Sequence, residues 1–234
     1  MWFMLKFLPL LLMLGYALAL WHFSSWRLRR ELEARSSPLN EPALTGVTTR
    51  LARALEVPQV PVRIYDIDPV NGLAAPDGRV YLTRGFVEAF HAGKVSAEEI
   101  ASVIAHELGH VALGHSRRRM IDFTGSNAIR ILLTTVLGRL LPGIGVWLAG
   151  IVTAALVARL SRRDEFEADA WASALLIKAG IGTGPQKSLF ARLDALTGAR
   201  GATPPAWLLS HPQTAERIAA IEANERRWGV TRAE

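Results

Sequence analysis

The sequence predicts an α+β fold, mainly α, with a small edge-exposed sheet, an N-terminal transmembrane helix and an internal apolar helical hairpin. Three observations predict it. Met1–Phe23 is an apolar run interrupted only by Lys6 and His22. Two short β-rich segments near residues 60–83 sit between turn residues. After Ser96 the pattern is helical, with a second apolar tract over Ile129–Ala158.

At 234 residues the chain can hold one ordinary domain plus a membrane segment. Half of it is hydrophobic and its mean hydropathy is +0.20, high for a soluble protein. With no cysteine, disulfides and thiolate metal ligands are excluded. That absence fits a reducing compartment and also a periplasm. The net charge of +6 comes from basic residues beside apolar runs. This pattern suits anionic lipid and not nucleic acid, which would need interleaved aromatics.

The first element, residues 1–26, is long enough to cross a bilayer. Pro9 and Gly15 are tolerated in such helices. A cleavable signal peptide is the competing reading, because Ala17-Leu18-Ala19 resembles a cleavage site. Arg27, Arg29, Arg30 and Arg35 outnumber Lys6, so the positive-inside rule puts the rest of the chain in the cytoplasm of a bacterial-type inner membrane, with a periplasmic domain as the alternative. Residues 27–43 read as a linker through Ser36-Ser37-Pro38 and Glu41-Pro42.

The remaining domain spans 44–230. Residues 44–56 predict a short helix. Val60–Asp66 and Gly78–Thr83 predict strands, separated by Pro69, Asn71-Gly72 and Pro76-Asp77-Gly78. Ser96 and Glu99 form a capping box that opens a helix, with Gly114 as its C-terminal stop. Ile129–Leu141 and Gly143–Ala158, broken at Pro142-Gly143, predict the hairpin within 126–159. Each limb is short for a ~30 Å hydrocarbon core. Arginines flank both ends, at 117–119 and at 159, 162 and 163, so the two ends share one side of the membrane. The hairpin is then inserted, re-entrant, interfacial or packed on the domain's own core. Helices follow at 161–179, 187–196 and 212–228, with a Gly/Pro-rich loop at 198–209.

Chemistry concentrates in His106-Glu107-Leu108-Gly109-His110. On a helix, residues i and i+4 lie on one face, so His106 and His110 can offer ring nitrogens to one metal, with Glu107 beside them as a general base. Two histidines leave a zinc site one protein ligand short. A third His six residues on, preceded by a Gly, would complete one known arrangement, but those positions are Ser116 and Leu113. His115 lies a helical turn on and reads as a capping or packing residue. The other source is Ser161–Asp169, which offers Asp164, Glu165, Glu167 and Asp169. Glu165 and Asp169 share a helix face, so one could bind metal while the other accepts an imidazole N–H. The competing reading is a solvated acidic patch paired with Arg162 and Arg163.

In order along the chain stand His-Glu-x-x-His (106–110), Ser-Arg-x-x-Glu-x-x-Ala-Asp (161–169) and His-Pro-x-x-x-x-Arg-Ile (211–218). This resembles the gluzincin zinc metallopeptidases of the HtpX, BepA and CAAX-prenyl-endopeptidase group, over about residues 45–225. The resemblance implies one Zn2+ per chain, bound by His106, His110 and Glu165. It implies Glu107 as general base and acid, His211 over the metal, Asp169 behind a ligand and Arg217 as anchor of the His211 loop. It implies proteolysis of misfolded or membrane proteins. A non-proteolytic, zinc-containing chaperone or adaptor is the alternative. The substrate would be a polypeptide extended along an edge strand, expected near Gly78–Thr83. The segment from Asn71 to Gly85 is similar to the family's edge-strand region, with Gly72 and Asp77 where members more often carry Ala and Gly. One topological conclusion needs no family: His106, His110 and Glu165 can share a metal only if zero or two crossings separate them.

Overall fold

The computed structural model describes residues 15–16, 18–19, 22–23, 26–27, 29–75, 77–196 and 214–230, with side chains at 116–117, 119–128, 193–196 and 214 outside that description. The chain divides into two compact units, Met1–Ser37 and Pro38–Glu234. In the first, the described positions between 15 and 34 are helical. Most of the predicted membrane segment 1–26 lies outside the described residues. The predicted linker 27–43 is largely structured, with helix at 29–34 and a strand β1 (Ser36–Pro38). The second unit begins at Pro38, ahead of the predicted boundary at 44, and α1 (Pro42–Leu55) starts early because Pro42 occupies its first turn, where a missing N–H costs nothing.

In the second unit, α1 buries Leu44, Val47, Leu51 and Ala52. Strand β2 (Val62–Tyr65) pairs in parallel with β4 (Val80–Thr83), matching Val62 with Val80. Strand β3 (Gly72–Ala74) pairs antiparallel with β4, matching Gly72 with Leu82. This corrects one expectation. Val80–Thr83 is the buried centre of the sheet, and the edge beside the helices is β3. The Asn71-Gly72 pair reads as a turn, but Asn71 accepts and donates to Thr83 across the sheet, and Gly72 begins the strand.

Helix α2 (Arg84–His91) leads to α3 (Ala97–Ala112), the central helix. Its capping box forms as expected: Ser96 Oγ accepts from the Glu99 N–H (3.1 Å) and Glu99 Oε2 from the Ser96 N–H (2.8 Å). Ile100, Val103 and Ile104 are buried with Ala101 and Ala105, so α3 is enclosed nearly all round, as a core helix must be. Gly114, at φ +67°, ends α3 and lets α4 (His115–Leu140) set off in a new direction.

The predicted hairpin forms from longer helices. Its limbs are the outer parts of α4 and of one 34-residue helix, α5 (Gly145–Lys178), which also contains the segment predicted as a separate helix at 161–179. Sequence placed a boundary at 160 because apolar residues give way to charged ones there. No Gly or Pro intervenes, so the backbone continues through the change. Gly145, Ala149 and Thr153 form the buried side of the second limb. The tip does not bury its large side chains: Leu140 is 70%, Trp147 67%, Ile131 64% and Leu132 63% exposed. Helices α6 (Gly184–Leu196) and α7 (Thr214–Trp228) follow among the described residues.

Candidate metal centre

His106, Glu107 and His110 are all buried on α3. His106 and His110 face α5, which approaches closely because Gly109 has no side chain. A Cβ on Gly109 would lie 3.0 Å from the Ala168 carbonyl oxygen and 3.2 Å from its Cα, both backbone atoms that cannot move aside cheaply. The small residues Ala168 and Ala172 line the opposing face of α5. This contact brings Glu165 to the two histidines.

Three donor atoms converge there. His106 Nε2 lies 3.1 Å from His110 Nε2 and 3.3 Å from Glu165 Oε2, and His110 Nε2 lies 3.5 Å from Glu165 Oε1. Tetrahedral zinc with ligands at ~2.0–2.1 Å separates neighbouring donors by about 3.3–3.4 Å, so the triangle has the right size. The chemistry fits as well. His106 Nδ1–H donates to Asp169 Oδ1 at 2.9 Å, which leaves the lone pair on Nε2, aimed at the other donors. A carboxylate and ring nitrogens gathered in a buried site favour a cation. Burial alone would favour neutral His106. The bonds to Asp169 and Glu165 outweigh it and push the ring up to about 9.

Asp169 is fixed in turn by Arg217 on α7, whose Nε and Nη2 donate to its two oxygens at 2.6 and 2.7 Å. Burial opposes ionisation of Asp169, but the Arg217 charge and bonds prevail and hold the carboxyl below the usual carboxylate range. Arg217 is 1% exposed, and its guanidinium stacks 4.2 Å over the Phe190 ring.

The edge strand β3 passes over the middle of α3. A Cβ on Gly72 would lie 2.6 Å from Val103 Cγ1 and 3.7 Å from Glu107 Cγ. In this chain Gly72 and Val103 therefore fit together, and an Ala at position 72 would displace Val103.

Behind His110 lies a second group of titratable side chains, His115, Asp164 and Glu167. Arg118 donates to Asp164 (3.2 Å) and Glu167 (2.7 Å), and Arg163 donates to Glu167 (2.8 Å). Chiefly through the Arg118 hydrogen bond, Glu167 is held down to about 2. The guanidinium already supplies the charge a metal would bring, so this group is an ion-pair network.

The structure thus brings together His106, Glu107, His110, Glu165, Asp169 and Arg217. It turns Asp164 and Glu167 toward Arg118 and away from the donor triangle. His211 lies outside the described residues. Sequence reasoning missed the close approach at Gly109 and the grip of Arg217 on Asp169, for which the resemblance offered only a loop anchor. It also treated His115 as a capping or packing residue. His115 is fully buried, with its Nδ1 2.7 Å from His110 Nδ1.

Comparison with known proteins agrees with this geometry. The sequence profile of Peptidase family M48 matches residues 38–225. The chain is 29% identical over 179 residues to metalloprotease LoiP of Escherichia coli, covering 76% of this chain and 68% of LoiP. It is 31% identical over 178 residues to metalloprotease YcaL of the same organism, covering 76% and 67%. It is 26% identical over 231 residues to a protease HtpX homolog of Chlorobium phaeobacteroides, covering 86% and 75%.

Proposed function

Because the chain belongs to Peptidase family M48, a family of metal-dependent proteases, we propose that it is a membrane-associated zinc metalloendopeptidase acting on misfolded or membrane proteins. The observation that carries this reading is the buried triangle of His106, His110 and Glu165 donors, 3.1–3.5 Å on a side, with Glu107 on the same helix.

Zinc held by these three residues supplies Lewis acidity and acidifies water at the site. The remaining work falls to side chains. Glu107 takes the proton from the attacking water and delivers it to the departing amide nitrogen. His211 donates to the oxyanion that develops on the scissile carbonyl. Asp169, held by Arg217, keeps the His106 proton on Nδ1. An extended substrate adds to the outer edge of β3, which lies over Glu107, and pairs with its backbone.

The test is zinc content and casein cleavage for wild type and Glu165→Gln side by side. We expect one zinc per chain in the wild type and loss of both zinc and cleavage in the variant. Unchanged zinc in Glu165→Gln would put the third ligand elsewhere and sink the assignment.

Membrane attachment is supported by α5, the one described helix long and apolar enough to cross a bilayer, and by the exposed apolar tip it shares with α4. The arginines around residues 27–35 and at both ends of the hairpin favour a cytoplasmic peptidase domain. Reporter fusions before residue 38 and after residue 230 should both report a cytoplasmic position. An external report from either would overturn that orientation.

A further inference from the structure

We propose that His115 is a positioning residue for the metal ligand His110, fixing which nitrogen of that ring carries the proton through a chain that ends on Glu167. The inference rests on the zinc site proposed above and extends it to a residue outside the three motifs.

It follows from counting protons and lone pairs. His110 Nε2 faces His106 Nε2 at 3.1 Å and Glu165 Oε1 at 3.5 Å, so a metal there needs the Nε2 lone pair. The ring proton must then sit on Nδ1. His110 Nδ1 lies 2.7 Å from His115 Nδ1, and two ring nitrogens at that distance share one proton. His110 Nδ1–H therefore donates, and His115 Nδ1 accepts. The His115 proton is left on Nε2, which faces Glu167 Oε2 at 3.4 Å. Glu167 is a fixed acceptor, since Arg118 and Arg163 each donate to it. The opposite assignment would put a proton on His110 Nε2, where it would block a metal.

The two histidine ligands are thus oriented by different devices. His106 donates directly to Asp169, while His110 donates to a neutral imidazole that hands the direction on to Glu167. The fold makes this possible at Gly114. Its positive φ ends α3 and makes His115 the first residue of α4, and the His110 and His115 rings meet edge to face with centroids 4.9 Å apart.

Two substitutions separate the two nitrogens of His115. The Oδ1 of Asn can stand where Nδ1 stands and accept from His110, whereas the longer Gln reaches only toward the Nε2 position and Glu167. The experiment is zinc affinity, by competition with a chromogenic chelator, of full-length protein in detergent for wild type, His115→Asn, His115→Gln and His115→Phe. It is paired with the visible absorption of the cobalt-substituted forms and the thermal melt of each metal-free form. We expect His115→Asn to keep zinc affinity within about threefold and the wild-type cobalt spectrum. His115→Gln and His115→Phe should lose roughly 10–100-fold in affinity, the usual effect of removing a partner behind a ligand, and shift the cobalt bands. Should His115→Phe fail to fold, the Asn and Gln variants alone decide.

Wild-type affinity in every variant that folds overturns the proposal. So does a loss in His115→Asn as large as in His115→Gln, which would mean that the ring acts by packing. Failure of the underlying site is distinguishable: zinc would then persist in Glu165→Gln whatever stands at position 115.

Discussion

Glu107→Gln should leave one zinc per chain and lower casein cleavage by roughly 10²–10⁴-fold, the range that positioned acid–base groups contribute. Both halves of the result matter. Glu107 is buried on the ligand-bearing face of α3, yet it is not one of the three converging donors. Gln keeps its volume and hydrogen-bonding atoms, so the helix and its contact beneath β3 should persist. What Gln lacks is a carboxylate able to take a proton and return it. Measuring zinc and turnover on the same preparation separates the two roles. Retained cleavage would remove Glu107 from the chemistry, and lost zinc would make it part of the metal's support.

Arg217→Met should destabilise the metal-free protein by about 3–5 kcal/mol, the range for breaking a buried ion pair on one side. At the entropy of unfolding of a domain this size, that is a fall of about 10 °C in melting temperature. Asp169 would be left as a buried carboxylate facing His106 without the guanidinium that now holds both its oxygens. The double variant Asp169→Asn/Arg217→Met removes the charge as well, and should recover part of the loss while leaving His106 poorly oriented. The dependence on pH has a definite sign. The Asp169 carboxyl is held below its ordinary value, so the pair's stabilisation is full above about pH 4 and fades as pH falls through the folded-state value. The gap between wild type and Arg217→Met should therefore narrow in acid. An equal gap at pH 3 and pH 7 would mean that Arg217 stabilises by stacking on Phe190 and not by its charge.

Much of this site is legible along the chain. His106 and His110 are four residues apart, and so are Glu165 and Asp169. Helical periodicity alone puts each pair on one face, and the structure keeps both pairs there. The capping box at Ser96 and Glu99 and the stop at Gly114 are equally local, because each depends on bonds within a single turn. Local reasoning failed where partners are distant. Residue by residue it took Asn71-Gly72 for a turn between strands, since nothing near them in sequence announces pairing with Leu82 and Thr83. It ended a helix at residue 160 because polarity changed, although the backbone of α5 responds to propensity and not to the medium outside.

The sequence by itself determined which residue types could hold a metal and which helices carry them. These follow from helix period and donor chemistry, both encoded within a few residues. Residue spacing left four nearby carboxylates open and the motif resemblance implied Glu165; the tertiary structure brings Glu165 to the histidines. Only the structure set Arg217 on Asp169, put the edge at β3, and seated His115 against His110. The placement of Glu165 depends on how closely α3 and α5 approach across Gly109 and Ala168, and the others on equally long-range packing. A helix–helix distance is fixed by side chains far apart in sequence meeting in three dimensions.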